Sequence, residues 1–211
     1  MEYCDIESLC KRIGAKPTRA KLDGTPLYTV PVIYDPKTKA VVEESTSIAK
    51  YLDETYPDTP RLFPGGTFVV QSAFMASLDS IIMSLVGLVL ESTCNNLNPV
   101  SAEYFKRTRD QTMGQPFEAW TPQDENGREK LWKEVQAGLD KIFSWFSASG
   151  DTGPFVMGDT LTFADIDLAS RFIWVKVVLG AGSDGWKRVA QLNDGRWAQH
   201  LQSMEKYENF A

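Results

Sequence analysis

Two short pairs of residues carry the chemistry in this sequence, Val30-Pro31 and Glu44-Ser45. Proline has no N–H to give to a strand ladder, so Pro31 belongs at a strand edge or at a strand's first residue. If the Val30-Pro31 bond is cis, the Val30 N–H and C=O turn outward. An extended peptide-like ligand can then pair with them as it would with a sheet edge. Glu44-Ser45 stands at a helix start. A helix N-terminus presents free N–H groups and the positive end of its dipole, and both favour a carboxylate. Ser45 adds a hydroxyl donor, and Glu44 can accept from an ammonium. Each feature alone has a plain structural reading: Pro31 can merely start an edge strand, and Ser45 can merely cap its helix. Together they make a half-site for a small zwitterionic peptide.

The elements that must hold these pairs read as strand, turn, strand, helix. Thr29 to Tyr34 is β-rich, and Asp35-Pro36-Lys37-Thr38 has turn chemistry. Ala40-Val41-Val42 returns as a second strand, which predicts a hairpin. The helix after Glu44 carries Ile48 and Leu52 on one face, with Ala49 and Tyr56 beside them. Ahead of the hairpin, Asp5 to Ile13 reads as a short helix with Asp5 as cap and Gly14 as stop; Ile6, Leu9 and Cys10 share its face. Lys16 to Pro26 reads as a loop, in which Lys21 could approach a ligand carboxylate.

The runs VPVI and ESTSIAKYLDETYP resemble the second half of the thioredoxin-like domain of glutathione transferases, in particular the fungal FuA and UstS-like kind. The resemblance implies that Val30 and Pro31 hold the cysteinyl backbone of glutathione, and that Glu44 and Ser45 hold its γ-glutamyl end. In that family a strand and a helix come first, and the loop after the strand supplies the Tyr, Ser or Cys that handles the sulfur. Here Met1 falls where the family's second strand should be ending, so the resemblance implies an N-terminally incomplete domain. Tyr3 and Cys4 are the nearby groups with suitable chemistry. They read as the stub of a strand, and no catalytic residue is assigned.

Composition sets bounds on the rest. The chain has 211 residues, enough for two small domains, and its net charge of −6 argues against nucleic acid or an anionic membrane surface as partner. Three cysteines suit a reducing cytoplasm better than a disulfide framework. They share no ligand spacing, and there is one histidine, so no metal is expected. That histidine, His200, reads as a helix-surface residue.

Pro60 to Gly66 is a linker by composition. Beyond it the chain is helical by period. Phe68 to Ser92 carries Val69, Val70, Ala73, Phe74, Ser77, Ile81, Leu85 and Leu88; Pro99 to Met113 mixes its charges as a solvated face; Gln115 to Asn126 is irregular. Arg128 to Ser149 repeats Leu131, Val135, Leu139, Ile142 and Phe146. A structured turn at 149–162 leads into Thr162-Phe163-Ala164-Asp165, a capping-box-like start to a helix with Ile166, Ala169, Phe172, Ile173, Val177 and Val178 inward. The run FVMGDTLTFADIDLA resembles the helix-start signature of the all-α domain of glutathione transferases, where the role of Thr162 and Asp165 is structural.

The fold expected is α/β plus all-α: a truncated thioredoxin-like domain at 1–62 and an all-helical domain at 67–211, with the binding site in the cleft between them. The function implied by the resemblance is glutathione transfer to an apolar electrophilic small molecule, by a protein that can form a homodimer. The alternative is a catalytically inactive binding or interaction module.

Overall fold

The computed structural model describes residues 1–114, 116–150 and 153–208. Gln115, Asp151 and Thr152, which fall in two of the irregular stretches read from sequence, and residues 209–211 of the expected helical domain lie outside them. Chain contacts divide it into two units, one of residues 1–62 with 94–119, the other of residues 63–93 with 120–211. The architecture is α/β plus all-α. Among the described residues no single helix is long and apolar enough to cross a membrane.

In the first unit, a 3-10 turn at Tyr3–Asp5 leads into α1 (Ile6–Arg12), which buries Ile6 and Cys10. The turn replaces the strand stub expected at Tyr3 and Cys4, because side chains take the local donors. Asp5 accepts from the Glu2 N–H at 2.9 Å, and Ser101 Oγ accepts from the Tyr3 N–H at 2.9 Å. Lys16 to Pro26 is not all loop: β1 (Arg19–Ala20) pairs antiparallel with β2 (Pro26–Leu27). A ladder of two residues is too short to show alternation in sequence. β3 (Val32–Asp35) and β4 (Ala40–Glu43) form the expected hairpin, a two-stranded antiparallel sheet. The helix α2 (Ser45–Thr55) buries Ile48, Ala49 and Asp53. Leu52, expected inward, is 37% exposed. Asp53 takes the inward place because its Oδ1 accepts the Leu62 N–H at 2.9 Å.

The second unit starts with α3 (Phe68–Asn95). Leu78, Ile81, Leu85 and the run Leu88 to Leu90 are buried as the period requires, but Val69 and Val70 are 75% and 64% exposed. The inward residue of that first turn is Gln71, at 1% exposure. A stripe traced through apolar residues alone misses it. Within the first unit again, α4 (Pro99–Met113) has the bounds expected, and Tyr3 stacks with its Tyr104 at 6.1 Å.

Back in the second unit, α5 (Glu125–Ala148) starts three residues earlier than the expected Arg128. Asp124 caps it by accepting the Gly127 N–H at 2.7 Å, so the glycine lies inside the first turn instead of breaking the chain before it. Val135, Leu139 and Ile142 are buried, and so is Trp132. The helix α6 (Phe163–Leu179) buries Leu168, Ala169, Phe172 and Val175, whereas Val177 is 64% exposed. Then come α7 (Asp184–Gln191) and α8 (Arg196–Met204). Trp197, fully buried, stacks on Phe172 at 5.5 Å.

His200 on α8 is 1% exposed, not at the surface. Its Nδ1 lies 3.1 Å from the Pro154 carbonyl oxygen and its Nε2 3.1 Å from that of Asp165. Two carbonyl groups from separate segments supply the polar partners that make its burial tolerable.

Candidate functional site

The register of the hairpin brings the two chemical pairs together. Val32 pairs with Glu43 at the open end of the β3–β4 ladder. Val30-Pro31 enters the ladder and Glu44-Ser45 leaves it at this same end. The Val30-Pro31 peptide is cis, and Val30 is 50% exposed. Val30 also lines a pocket of about 310 Å³ with Glu2, Tyr3, Ile6, Asn98 and Ser101.

Glu44 is the N-cap residue of α2, with φ 69° and ψ 131°. That backbone is sparsely populated by side-chain-bearing residues and costs about 1–3 kcal/mol. It turns the chain sharply out of β4 into the helix. No side chain caps α2, so the leading N–H groups stay open for a ligand. Ser45 is exposed, and among the described residues its hydroxyl makes no hydrogen bond. The Glu44 carboxylate accepts a long bond, 3.3 Å, from the Thr29 hydroxyl, and Thr29 in turn reaches Thr18 Oγ1 at 3.1 Å. An exposed carboxylate acceptor, a free hydroxyl and an open helix start suit a ligand that carries both an ammonium and a carboxylate.

A second network, missed from sequence, holds α2 in place. Asp35 ends β3 and is 8% exposed. Its Oδ2 accepts from the hydroxyls of Tyr51 and Tyr56, each at 2.6 Å, and its Oδ1 accepts the Lys37 N–H at 2.8 Å. These bonds, the Tyr51 one first, hold the Asp35 carboxyl well below the usual carboxylate range. The same carboxylate pushes the Tyr56 phenol up to about 12. One side chain thus ties the hairpin turn to the far half of α2 and fixes where that helix begins. The available signal was the Asp-Pro turn together with two tyrosines on the next helix.

Other candidates resolve plainly. Lys21 lies 3.6 Å from Glu7, an ion pair on the surface. Cys4 is exposed, and Cys10 is buried, which pushes its thiol up and away from thiolate chemistry. Among the described residues no cluster of His, Cys, Asp and Glu has metal-ligand geometry.

Thr162 and Asp165 meet in the second unit, both fully buried. Asp165 Oδ2 accepts from the Thr162 N–H at 2.8 Å and the Thr162 hydroxyl at 2.7 Å, while Oδ1 accepts the Val156 N–H at 2.6 Å. Gln71 Oε1 accepts the Ala164 N–H at 2.9 Å. This helix start is closed by the protein's own side chains.

The sequence matches two family models, the N-terminal domain of glutathione S-transferase over residues 7–60 and its C-terminal domain over residues 69–207. It is 26% identical to the glutathione S-transferase-like protein ustS of Aspergillus flavus, over 96% of this chain and 76% of that one. Among solved structures it is similar to glutathione transferase GSTFuA3 from Phanerochaete chrysosporium, with 45% identity and a TM-score of 0.91 over 100% of this chain and 83% of that one. It is also similar to the glutathione S-transferase CsGST63524 of Ceriporiopsis subvermispora, solved in complex with glutathione. There the identity is 43% and the TM-score 0.92, over 100% of this chain and 84% of that one. An N-terminal unit of thioredoxin-like type with small sheets, a helical C-terminal domain and matches along nearly the whole chain have one meaning: the chain belongs to the glutathione S-transferase family.

Proposed function

We propose that this protein binds glutathione at the hairpin mouth and the start of α2, and transfers it to an apolar electrophilic small molecule. The observation that carries the reading is the open end of the β3–β4 ladder at Val32 and Glu43, where Val30-Pro31 enters and Glu44-Ser45 leaves. The glutathione held by the 43%-identical Ceriporiopsis enzyme supports it. In this reading the Val30 N–H and C=O pair with the cysteinyl backbone. The Ser45 hydroxyl and the open N–H groups of α2 hold the γ-glutamyl carboxylate, and Glu44 accepts from the ammonium. The glutathione sulfur then forms a bond to the electrophilic carbon as the leaving group departs, and its proton passes to solvent. No side chain is assigned to the sulfur.

Family membership supports a homodimer as part of this reading, which light scattering tests. The three unpaired thiols support a reducing cytoplasm, which fractionation tests. The activity is tested by conjugation of glutathione to a chlorinated nitrobenzene. Saturable turnover that Ser45→Ala weakens supports the reading. Glutathione binding without turnover reduces it to a binding module.

A further inference from the structure

The second unit carries a groove of its own, where two helices that touch closely at one level leave a space at the next. The helices are α3 and α5, and their contacts show that they run antiparallel. Gly87 lies against Leu131, the Ser84 hydroxyl donates to Glu134 at 2.9 Å, Ile81 lies against Gly138, and the rings of Phe74 and Trp145 meet at 6.4 Å. The tightest of these contacts is at Gly138. A Cβ added there would come within 2.6 Å of the Ile81 side chain, so the missing side chain is what lets the two helices close up.

From Ile81 back to Phe74 is two helical turns, about 10 Å along α3. Over this span α3 presents Ser77 and Ser80, which are too small to fill the space, and a cavity of about 250 Å³ results. The buried Ile81 and Ile142 line its inner side, and Lys141 lines it from α5. The Ser77 and Ser80 hydroxyls donate to carbonyl groups of their own helix, at 3.0 and 2.7 Å. The Lys141 ammonium lies 6.0 Å from the centre of the Trp145 ring, at the outer limit of a cation–π contact. Among the described residues no carboxylate is within ion-pair distance of Lys141, and none lines the cavity. Trp145, one turn beyond Lys141, is 40% exposed and adds an aromatic surface at that end. The space is thus apolar at depth with one cation at its rim. Its volume lies just under the range of about 300–1,000 Å³ usual for drug-sized ligands, which suits one or two rings bearing a single negative charge.

We propose that the α3–α5 groove is a binding site for a small aromatic acid, its rings held between Ser80 and Lys141 over Ile81 and Ile142 and its carboxylate paired with the Lys141 ammonium. The lysine stem covers the rings while its head reaches the charge. The site uses none of the residues assigned to glutathione, and the inference does not rest on that assignment.

The test is a calorimetric titration of the full chain with 2-naphthoate at low salt, repeated with the neutral 2-naphthol. Saturable binding of 2-naphthoate is expected, with 2-naphthol weaker. Ser80→Leu places a larger side chain in the groove from an exposed position and should weaken 2-naphthoate by about ten-fold or more. Lys141→Gln, also at an exposed position, should weaken 2-naphthoate by about five-fold and leave 2-naphthol unchanged. Lys133→Gln, two turns away on α5 and outside the cavity lining, should change neither, and Ser45→Ala should leave 2-naphthoate binding intact. Absence of saturable 2-naphthoate binding overturns the proposal. So does an affinity untouched by Ser80→Leu, lowered as much by Lys133→Gln as by Lys141→Gln, or lost in Ser45→Ala. Equal binding of the two probes overturns it as well, because the charge would then have no part.

Discussion

Two helix starts in this protein are built in opposite ways. At α6 the capping side chains are turned inward. Thr162 and Asp165 are fully buried, Asp165 takes three hydrogen bonds, and Gln71 reaches across from α3 to the Ala164 N–H. At α2 the cap residue has positive φ, no side chain closes the turn, and Ser45 points an unused hydroxyl at solvent. The first arrangement stabilises the fold. The second leaves the same backbone donors open and holds them there by a network placed a full hairpin away, at Asp35. Exposed donors are poor for stability and good for binding, so the difference separates a folding motif from a candidate ligand site without appeal to either motif's name.

Substitutions at the two helix starts should therefore fail in different ways. The largest effect is expected at the closed one. Asp165→Ala strands the buried N–H of Thr162 and the partly buried N–H of Val156, and should lower stability by about 3 kcal/mol, read from urea denaturation. A loss under about 0.5 kcal/mol, the ordinary surface range, would remove the reason for separating the two starts.

Next is the network behind α2. The Asp35 carboxyl titrates below its unfolded range, so its contribution is present above the unfolded value of 3.8 and is lost as pH falls below it. The Tyr56 phenol is raised from 10.0 to about 12, so its contribution is complete below 10.0 and is lost as pH rises through about 12. Asp35→Asn should lower stability at neutral pH, flatten the acid limb of the stability curve and return Tyr56 towards 10.0 in a phenolate absorbance titration. A Tyr56 titration unmoved by the substitution would show that the carboxylate is not its partner.

At the open start the effects should be on binding. Ser45→Ala should weaken glutathione by about ten-fold while stability changes by less than about 0.5 kcal/mol. The smallest change expected is a gain. Glu44→Gly removes the strain of positive φ and should raise stability by about 1 kcal/mol, measured by thermal melt, as it weakens glutathione by removing the ammonium acceptor.

Much of this was legible in the sequence, for reasons that also mark where legibility stopped. The hairpin, α2, α4 and the Thr162-Asp165 helix start follow from turn chemistry, periodicity and cap residues that lie close together in the chain. Several misplacements share one cause, which is a polar residue occupying an inward position through a partner on another segment. Gln71 displaced Val69 and Val70 from the buried face of α3. Asp53 displaced Leu52. His200 was buried by two carbonyl groups from segments that no spacing rule connects to α8. Asp35 reads as a turn residue in the sequence because its tyrosine partners come later, on another element. At the candidate site, the pairs Val30-Pro31 and Glu44-Ser45 were visible as residue types, whereas their adjacency needed the register of the ladder.

The most direct test of the central claim is a backbone amide NMR titration with glutathione. Saturable shifts concentrated at Val30, Ser45 and Thr46, with the Phe163 to Asp165 amides unmoved, are expected if the open helix start and the hairpin mouth grip the tripeptide. Saturation with shifts elsewhere and none at Val30 or Ser45, or no saturation at all, would contradict it.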